Sequence, residues 1–211
     1  MARTRIKICG ITEEEALFAA AEHGADCVGF MFVEASPRYI DPETASALMN
    51  ALPLFVDTVG VFADPDVDEF CDIEALCPTT YTQLHGSENE KLVKTLGPDV
   101  IKVVKFIPET IAADLARWEA CEDVMAILVD GSAGGSGTPL DWAALSIFTD
   151  HITKPLILAG GLNPSNIKEA ITVIRPYGVD VSSGVERDKG HKDPALIKAF
   201  CEAVREADRA L

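Results

Sequence analysis

The sequence lacks the features that mark membrane, nucleic-acid-binding or zinc proteins. No apolar run approaches the roughly 18 residues that a membrane span needs. Lysine and arginine number only 18 against 34 aspartates and glutamates, and the resulting net charge of −16 repels the phosphate groups of nucleic acids and anionic lipids. Six cysteines and four histidines are present, but they form no Cys-x-x-Cys or His-x3-His spacing. We therefore expect no metal site, no nucleic-acid partner and no membrane partner.

The first ten residues carry basic side chains and a strand-length apolar stretch, but no small-residue cleavage site of a secretory signal. This pattern predicts a cytoplasmic protein. The length of 211 residues is sufficient for one sizeable core. We expect residues 1–211 to form a single domain.

Eight short runs of β-branched and apolar residues alternate with helical segments along the whole chain. Most runs are continuously apolar, as expected for strands of a parallel sheet that is covered on both faces. The predicted strands are residues 6–9, 27–32, 58–62, 81–84, 101–106, 126–129, 156–158 and 179–182. Such a series of eight strand–helix units favours an α/β fold of the (β/α)8 barrel type, and an open doubly wound sheet is the alternative.

Capping residues predict where the helices start. Thr12 and Ser87 each stand three residues before a glutamate, which is the spacing of a capping box. Four further pairs place a cap residue before a proline suited to the first helical turn. These pairs begin at Asp41, Asp64, Asn163 and Asp193.

Two side chains at predicted strand ends are candidates for proton transfer. In a barrel, reactive groups come from the C-terminal ends of the strands. Cys9 ends the first predicted strand, and Asp130 follows the sixth. A thiol and a carboxyl group can serve as a base and an acid when their surroundings shift the proton balance.

Glycines after the last two strands predict a phosphate site. Gly160 and Gly161 follow the seventh strand, and Ser183 and Gly184 follow the eighth. Glycine lets an oxyanion approach backbone N–H groups closely. Phosphate commonly binds these two loops in barrels, although glycines that merely turn the chain are the simpler alternative.

Three more side chains are candidate ligand contacts. Arg38 carries a guanidinium suited to a carboxylate, unless it is an ordinary surface arginine. His85 ends the fourth strand and either donates to a ligand or has a structural role, and Asp180 faces either the barrel mouth or a helix.

Residues 131–138 contain four glycines and two serines, which predicts a loop that closes over a ligand or a plain connector.

Taken together, these residues resemble the phosphoribosylanthranilate isomerase family over nearly the whole chain. The matching motifs are KICGIT at 7–12, GF at 29–30 with SPR at 36–38, QLHG at 83–86, LVD at 128–130, GGSG at 134–137 before DW at 141–142, AGGLNP at 159–164 and DVSSGVE at 180–186. The order and spacing of these seven motifs carry the resemblance, because any one of them alone would be weak.

The resemblance implies a barrel enzyme of tryptophan biosynthesis that needs no metal and no cofactor. Its reaction would convert N-(5′-phosphoribosyl)anthranilate to 1-(2-carboxyphenylamino)-1-deoxyribulose 5-phosphate by an Amadori rearrangement. Cys9 would be the base, Asp130 the acid and Arg38 the contact of the anthranilate carboxylate. Backbone groups near Gly161 and at residues 183–184 would hold the phosphate.

The partner implied is this small phosphosugar, and the protein is expected to be a monomer or a homodimer. One departure from the family pattern concerns the glycine-rich loop. Thr138 and Pro139 stand where many relatives carry a lysine after Gly-x-Gly. A loop contact made by that lysine therefore does not carry over to this chain.

Other functions of phosphosugar barrels compete with this interpretation. A pentulose-phosphate epimerase would need metal-binding histidines and carboxylates at strand ends, where only His85 falls suitably. An indole-glycerol-phosphate synthase would need catalytic lysines inside the barrel. A non-catalytic phosphosugar-binding barrel would keep the glycines but would have no use for both Cys9 and Asp130. Measured turnover separates these alternatives.

Overall fold

The chain forms a closed barrel of eight parallel strands, seen in a computed structural model that describes residues 3–131 and 141–211. The strands pair in sequence order, and β1 pairs with β8 to close the barrel. They are β1 (Arg5–Cys9), β2 (Cys27–Met31), β3 (Asp57–Phe62), β4 (Tyr81–Leu84), β5 (Val100–Lys105), β6 (Val124–Asp130), β7 (Leu156–Ala159) and β8 (Gly178–Val181). The predicted barrel is confirmed, and the open doubly wound sheet is wrong.

A helix follows each strand. The helices are α1 (Glu14–Glu22), α2 (Pro42–Ala51), α3 (Val67–Leu76), α4 (Glu90–Leu96), α5 (Ile111–Glu119), α6 (Trp142–Thr149), α7 (Ile167–Ile174) and α8 (Pro194–Ala210). Within the described ranges, no helix has the length and apolar character needed to cross a membrane.

The core has two layers, because successive residues of each strand point to opposite sides of the barrel wall. Val59, Val61, Val103 and Leu128 fill the barrel interior. The intervening residues pack outwards against the helices. This outer layer is larger and includes Ile6, Ile8, Phe30, Leu84, Ile127, Leu158, Val179 and Phe200. The C-terminal ends of the strands remain as the place for a site.

Two of the predicted helix starts are confirmed by their capping hydrogen bonds. The Asp41 carboxylate accepts a hydrogen bond from the backbone N–H of Thr44 at 2.9 Å. The Asp193 carboxylate accepts one from the N–H of Ala195 at 2.8 Å. In both helices, proline occupies the first helical position as predicted.

The other four helix starts were predicted one to three residues too early. The observed caps are Glu13, Asp66, Asn89 and Asn166. The side chains predicted to cap contact loops instead. The Thr12 hydroxyl donates to the Gly190 carbonyl at 3.4 Å, and the Asp64 carboxylate accepts from the Ser87 N–H at 2.8 Å. Asn163 likewise accepts from the N–H of Ser165 within its own turn.

A short hairpin between β8 and α8 was not predicted. After a 3-10 turn at Ser183–Val185, β9 (Glu186–Asp188) pairs in antiparallel fashion with β10 (His191–Lys192). A side chain at Gly190 would overlap the carbonyl oxygen of Pro37, so the hairpin lies directly against the loop after β2. The hairpin thereby becomes one wall of the barrel mouth.

Candidate active site

A cavity of about 910 Å³ opens at the C-terminal ends of the strands. Its lining contains eight of the nine site residues predicted from the sequence. These are Cys9, Arg38, His85, Asp130, Gly160, Gly161, Asp180 and Ser183. They come from the ends of β1, β4, β6, β7 and β8 and from the loop after β2. The closure of the barrel therefore brings together residues that lie far apart in the sequence.

Gly184 is the predicted site residue that does not line the cavity. A side chain at this position would overlap the carbonyl oxygen of Leu162. Glycine is required here because the loop after β8 packs directly on the loop after β7. Gly161, with φ of 68°, stays in the cavity lining together with Ser183. The two glycine-containing loops thus meet beside the cavity, as expected for a phosphate site, but Gly184 contributes to packing.

Cys9 is almost fully buried and faces the barrel interior. Burial raises the pKa of its thiol, and the positive charge of Lys7, two residues earlier on the same face of β1, opposes that rise. The net effect is a raised pKa. The thiol therefore has a cation beside it that favours the thiolate, in surroundings that otherwise disfavour charge.

Lys7 forms a buried ion pair that the sequence analysis missed. Its Nζ lies 2.9 Å from Oδ1 of Asp180, and the two side chains are only 4% and 9% exposed. The residues are register partners on the adjacent strands β1 and β8. The sequence contained a signal for this ion pair, because a lysine between Ile6 and Ile8 of a buried strand requires a partner for its charge. Asp180 thus faces the barrel interior, and the helix-facing alternative is wrong.

Asp130 ends β6 at the cavity and is 8% exposed. The His85 Nε2 lies 3.4 Å from Asp130 Oδ2. A side chain at Gly160 would approach Asp130 Oδ1 to 2.7 Å, so the loop after β7 packs against the carboxyl group. Asp130 is therefore fixed between two neighbours, while one face of the residue lines the cavity.

The loop that carries His85 is held by a buried carboxylate. Glu88 accepts hydrogen bonds from the backbone N–H groups of Asp64 and Gly86, both at 2.9 Å. Its other oxygen lies 2.8 Å from Nζ of Lys102, and both side chains of this pair are at most 3% exposed. Burying a charge requires such complete pairing. The network makes the loop after β4 a rigid support for His85.

Gln83 was quoted in a motif but was not predicted as a site residue. It is 2% exposed and lines the cavity. Among the described residues, no hydrogen-bond donor contacts its Oε1 atom. Buried polar atoms usually have a partner, so this unpaired acceptor beside the cavity is a feature that the sequence analysis missed. A buried glutamine on an interior-facing strand position was the available signal.

Arg38 lies at the cavity wall with its guanidinium paired to a carboxylate. Its Nε and Nη2 atoms donate to the two carboxylate oxygens of Glu186 at 2.6 and 3.0 Å. The arginine side chain remains 20% exposed. The structure thus places Arg38 beside the cavity, in a bidentate contact that fixes the plane of its guanidinium.

The glycine-rich segment predicted as a ligand-closing loop lies outside the described residues, apart from Gly131 at its start. Thr138 and Pro139, which depart from the family pattern, also lie outside the described residues. Within residues 3–131 and 141–211, no group of three or more His, Cys, Asp or Glu side chains could hold a metal ion.

Comparisons with known proteins show the family of this chain. Residues 6–203 match the family model described as N-(5′-phosphoribosyl)anthranilate isomerase. A protein of that name from Herminiimonas arsenicoxydans is 42% identical, and the match covers 99% of this chain and 96% of the relative. The phosphoribosylanthranilate isomerase structure from Thermotoga maritima superposes with a TM-score of 0.86, with 39% identity and coverage of 96% of this chain and 99% of that chain.

A further solved structure contains a ligand. It is a phosphoribosylanthranilate isomerase in complex with reduced 1-(o-carboxyphenylamino)-1-deoxyribulose 5-phosphate, below called the reduced product. This structure is 38% identical to the present chain, with a TM-score of 0.84, and the match covers 96% of this chain and 99% of that one. The ligand carries both a phosphate and a carboxylate, which are the two groups expected at the candidate site.

Proposed function

This chain belongs to the N-(5′-phosphoribosyl)anthranilate isomerase family, and we propose that Cys9 and Asp130 carry the proton transfers of its reaction. The enzyme isomerises N-(5′-phosphoribosyl)anthranilate in tryptophan biosynthesis. The observation that supports the residue assignment is that a thiol and a carboxyl group line one cavity from β1 and β6. In the barrel, β7 and β8 separate these strands, so the two groups approach a bound sugar from different sides.

The proton transfers balance within one molecule of substrate. Asp130, in its protonated form, donates its proton to the ring oxygen of the furanose, and the bond from that oxygen to C1 breaks as the nitrogen lone pair forms a Schiff base. The Cys9 thiolate then removes the proton from C2, which the cationic Schiff base has made acidic. The electrons of the C2–H bond form the C1–C2 double bond of an enol, while the electrons of the C1–N double bond return to nitrogen. The ketone forms when the C2 hydroxyl loses its proton and C1 accepts one, so the numbers of protons given up and taken up are equal. The sugar therefore changes from an aldose to a ketose derivative without an external oxidant.

A turnover assay tests the function directly. The labile substrate is generated in situ, purified protein is added with a chelator, and the loss of anthranilate-type fluorescence is followed. We expect rapid loss of fluorescence in the presence of the chelator. A requirement for an added divalent metal would instead favour an epimerase-like reaction, and binding without turnover would favour a phosphosugar-binding barrel.

We assign the two anionic groups of the substrate to opposite parts of the site. Arg38 suits the anthranilate carboxylate, because a guanidinium binds carboxylates through charge-assisted hydrogen bonds. The backbone of Gly161 and Ser183 suits the phosphate. His85 and Gln83 also line the cavity, and their polar side chains suit the hydroxyl groups of the sugar.

Arg38→Ala is expected to raise KM more than it lowers kcat. Loss of a charge-assisted contact removes about 1.5 to 3 kcal/mol, which corresponds to a KM increase of about 10-fold or more. Steady-state kinetics measure both constants. Arg117→Ala is the control, because Arg117 pairs with Glu90 on the outer surface. Unchanged constants for Arg38→Ala would mean that Arg38 does not contact the carboxylate.

Gly161→Ala is expected to weaken phosphate binding selectively. A side chain at φ of 68° costs about 1 to 2 kcal/mol, and relief of this strain moves the loop away from the phosphate. Calorimetry compares the reduced product with its dephosphorylated counterpart. Gly24→Ala is a matched control, because Gly24 also has a positive φ, of 80°, but lies outside the cavity. Equal losses for both ligands would contradict the phosphate assignment.

The proposal also includes the partner, the cellular location and the assembly of the protein. The phosphosugar is the proposed small-molecule partner, the location is cytoplasmic, and the enzyme acts as one domain in a monomer or homodimer. Light scattering of the purified protein distinguishes the two assemblies. The chain has a mass of 22.6 kDa, and a measured mass of twice this value would establish the homodimer.

A further inference from the structure

A buried lysine outside the predicted site contacts the same carboxylate as Arg38. Lys192 lies on β10 of the hairpin, and its side chain is 0% exposed. Its ammonium group donates to three acceptors: the Ser182 carbonyl at 3.1 Å, the Ser182 hydroxyl at 3.2 Å and Glu186 Oε1 at 2.7 Å. An ammonium group has three donors, so each has a partner. This complete pairing allows a lysine to stay charged in the interior.

Glu186 stands between two cations. It accepts hydrogen bonds from Arg38 and from Lys192, and its side chain is only 6% exposed. Burial alone would raise the pKa of this carboxyl group, but the hydrogen bonds from Arg38 and Lys192 lower the pKa to about 2. Glu186 is therefore ionised near neutral pH.

The net charge of the cluster formed by Arg38, Glu186 and Lys192 explains why all three residues are needed to attract a substrate carboxylate. A bidentate Arg–Glu pair alone is neutral, and its guanidinium attracts a second carboxylate only weakly. With Lys192 included, two positive charges face one negative charge, and the cluster keeps a net charge of +1. Within the described part of the chain, Nη1 of Arg38 has no hydrogen-bond partner, and Arg38 lines the cavity.

We propose that Lys192 is a positioning and charge-balancing residue for substrate binding: by neutralising Glu186, it lets that carboxylate orient Arg38 while Arg38 still attracts the carboxylate of the substrate. The inference rests on the proposed role of Arg38 and extends it to two residues of the hairpin. Lys192 acts through Glu186, whereas Arg38 makes the contact with the ligand.

The same cluster connects Arg38 to the strand that carries Cys9. Ser182, which accepts from Lys192, donates through its hydroxyl to the backbone carbonyl of Cys9 at 3.1 Å. The chain of contacts therefore runs from β1 through the loop after β8 and the hairpin to Arg38. It keeps the carboxylate contact at a fixed position relative to the proposed base.

The test compares the binding of two ligands to Lys192→Met. One is the reduced product, and the other is the same compound without the carboxylate on its phenyl ring. Calorimetry at constant ionic strength should show about 10-fold weaker binding of the carboxylated compound, as expected for the loss of a charge-assisted contact. Binding of the compound without the carboxylate should change less than about 2-fold. Turnover assays should show a raised KM with a smaller change in kcat.

Restoring the charge balance gives the decisive comparison. In Lys192→Met combined with Glu186→Gln, the cluster again has a net charge of +1, and the amide oxygen can still accept from Arg38. This double variant should bind the carboxylated compound more tightly than Lys192→Met does. A purely structural role of Lys192 predicts the reverse, because a second change in the same buried network adds further damage. Equal weakening of both ligands, or a double variant worse than the single one, overturns the proposal.

Control variants distinguish an effect of Lys192 on substrate binding from misfolding and from failure of the proposed function. Glu13→Gln removes contacts of the same hairpin with α1 through Arg187 and His191, and it should leave both affinities unchanged. If Lys192→Met does not fold, Lys192→Gln replaces it, because its amide can still donate to Ser182. Absence of turnover in the unmodified enzyme would contradict the proposed function. If the unmodified enzyme turns over normally but Arg38→Ala has no effect, the proposed role of Arg38 is contradicted. The comparison of Lys192→Met with the double variant tests the role of Lys192 alone.

Discussion

Cys9→Ala and Asp130→Asn should each lower kcat by at least about 100-fold, since a positioned acid or base contributes about 10²- to 10⁴-fold. Both changes remove a proton-transfer group while they disturb the surrounding packing little. Binding of the reduced product should persist, because the contacts proposed for its phosphate and carboxylate lie elsewhere in the cavity. Stopped-flow or steady-state fluorescence measures kcat, and calorimetry measures the retained affinity.

The pH dependence of turnover identifies the base separately. Burial raises the pKa of Cys9 despite the opposing charge of Lys7, so only a small fraction of the thiol is ionised near neutral pH. The reaction needs the Cys9 thiolate and protonated Asp130 together, so in the unmodified enzyme the gain of thiolate at higher pH is offset by loss of the acid. In Asp130→Asn this acid no longer titrates, and we expect the residual kcat of that variant to increase from neutral to alkaline pH as the thiolate fraction grows. Near-normal turnover of Cys9→Ala across this range would show that Cys9 is a structural thiol, and Asp180 would then be the first alternative base.

The variant that combines both changes tests whether the two groups serve one reaction. Residues that act as a unit are strongly non-additive, since removal of one already abolishes most of the benefit of the other. Cys9→Ala with Asp130→Asn should therefore lose less than the product of the two single losses. Fully multiplicative losses would indicate that the two side chains act in independent steps.

The sequence was sufficient to predict the barrel because strand periodicity and strand number are local signals. Each strand begins and ends within two residues of its predicted position. Strand ends also identify the mouth of a barrel, so residues such as Cys9 and Asp130 could be placed in one cavity before their distances were known. These predictions required the order of the elements and no knowledge of side-chain contacts.

The missed features depend on contacts between distant segments. Lys192 and Glu186 resemble ordinary surface charges in the sequence, and only the fold of the hairpin buries them beside Arg38. The wrongly predicted helix caps have the same cause. Thr12 and Asp64 satisfy the local rule for a cap, but the loops at the barrel mouth use their side chains instead. Local rules therefore fail mainly around the site, where tertiary contacts determine which hydrogen bonds form.

Lys7→Met should lower the free energy of unfolding by about 3 to 5 kcal/mol, which is the usual cost of removing one partner from a buried ion pair. The change leaves the Asp180 carboxylate inside the barrel without its cation. Urea denaturation measures the loss. The matched control is Lys168→Met, which breaks the pair of Lys168 with Glu206 on the surface, where both side chains are more than half exposed. Exposed pairs contribute about 0 to 1 kcal/mol, so this control should change stability little.

A second variant distinguishes a missing charge partner from lost packing. In Lys7→Met combined with Asp180→Leu, both charges of this pair are removed, and replacement of a whole buried pair by apolar side chains is often neutral. The double variant should therefore be more stable than Lys7→Met alone. In the Asp130→Asn background, Lys7→Met should also move the alkaline rise in turnover to higher pH, because Lys7 lowers the pKa of Cys9. A stability loss no larger than that of Lys168→Met, together with an unchanged pH profile, would show that the buried pair neither stabilises the barrel nor acts on the thiol.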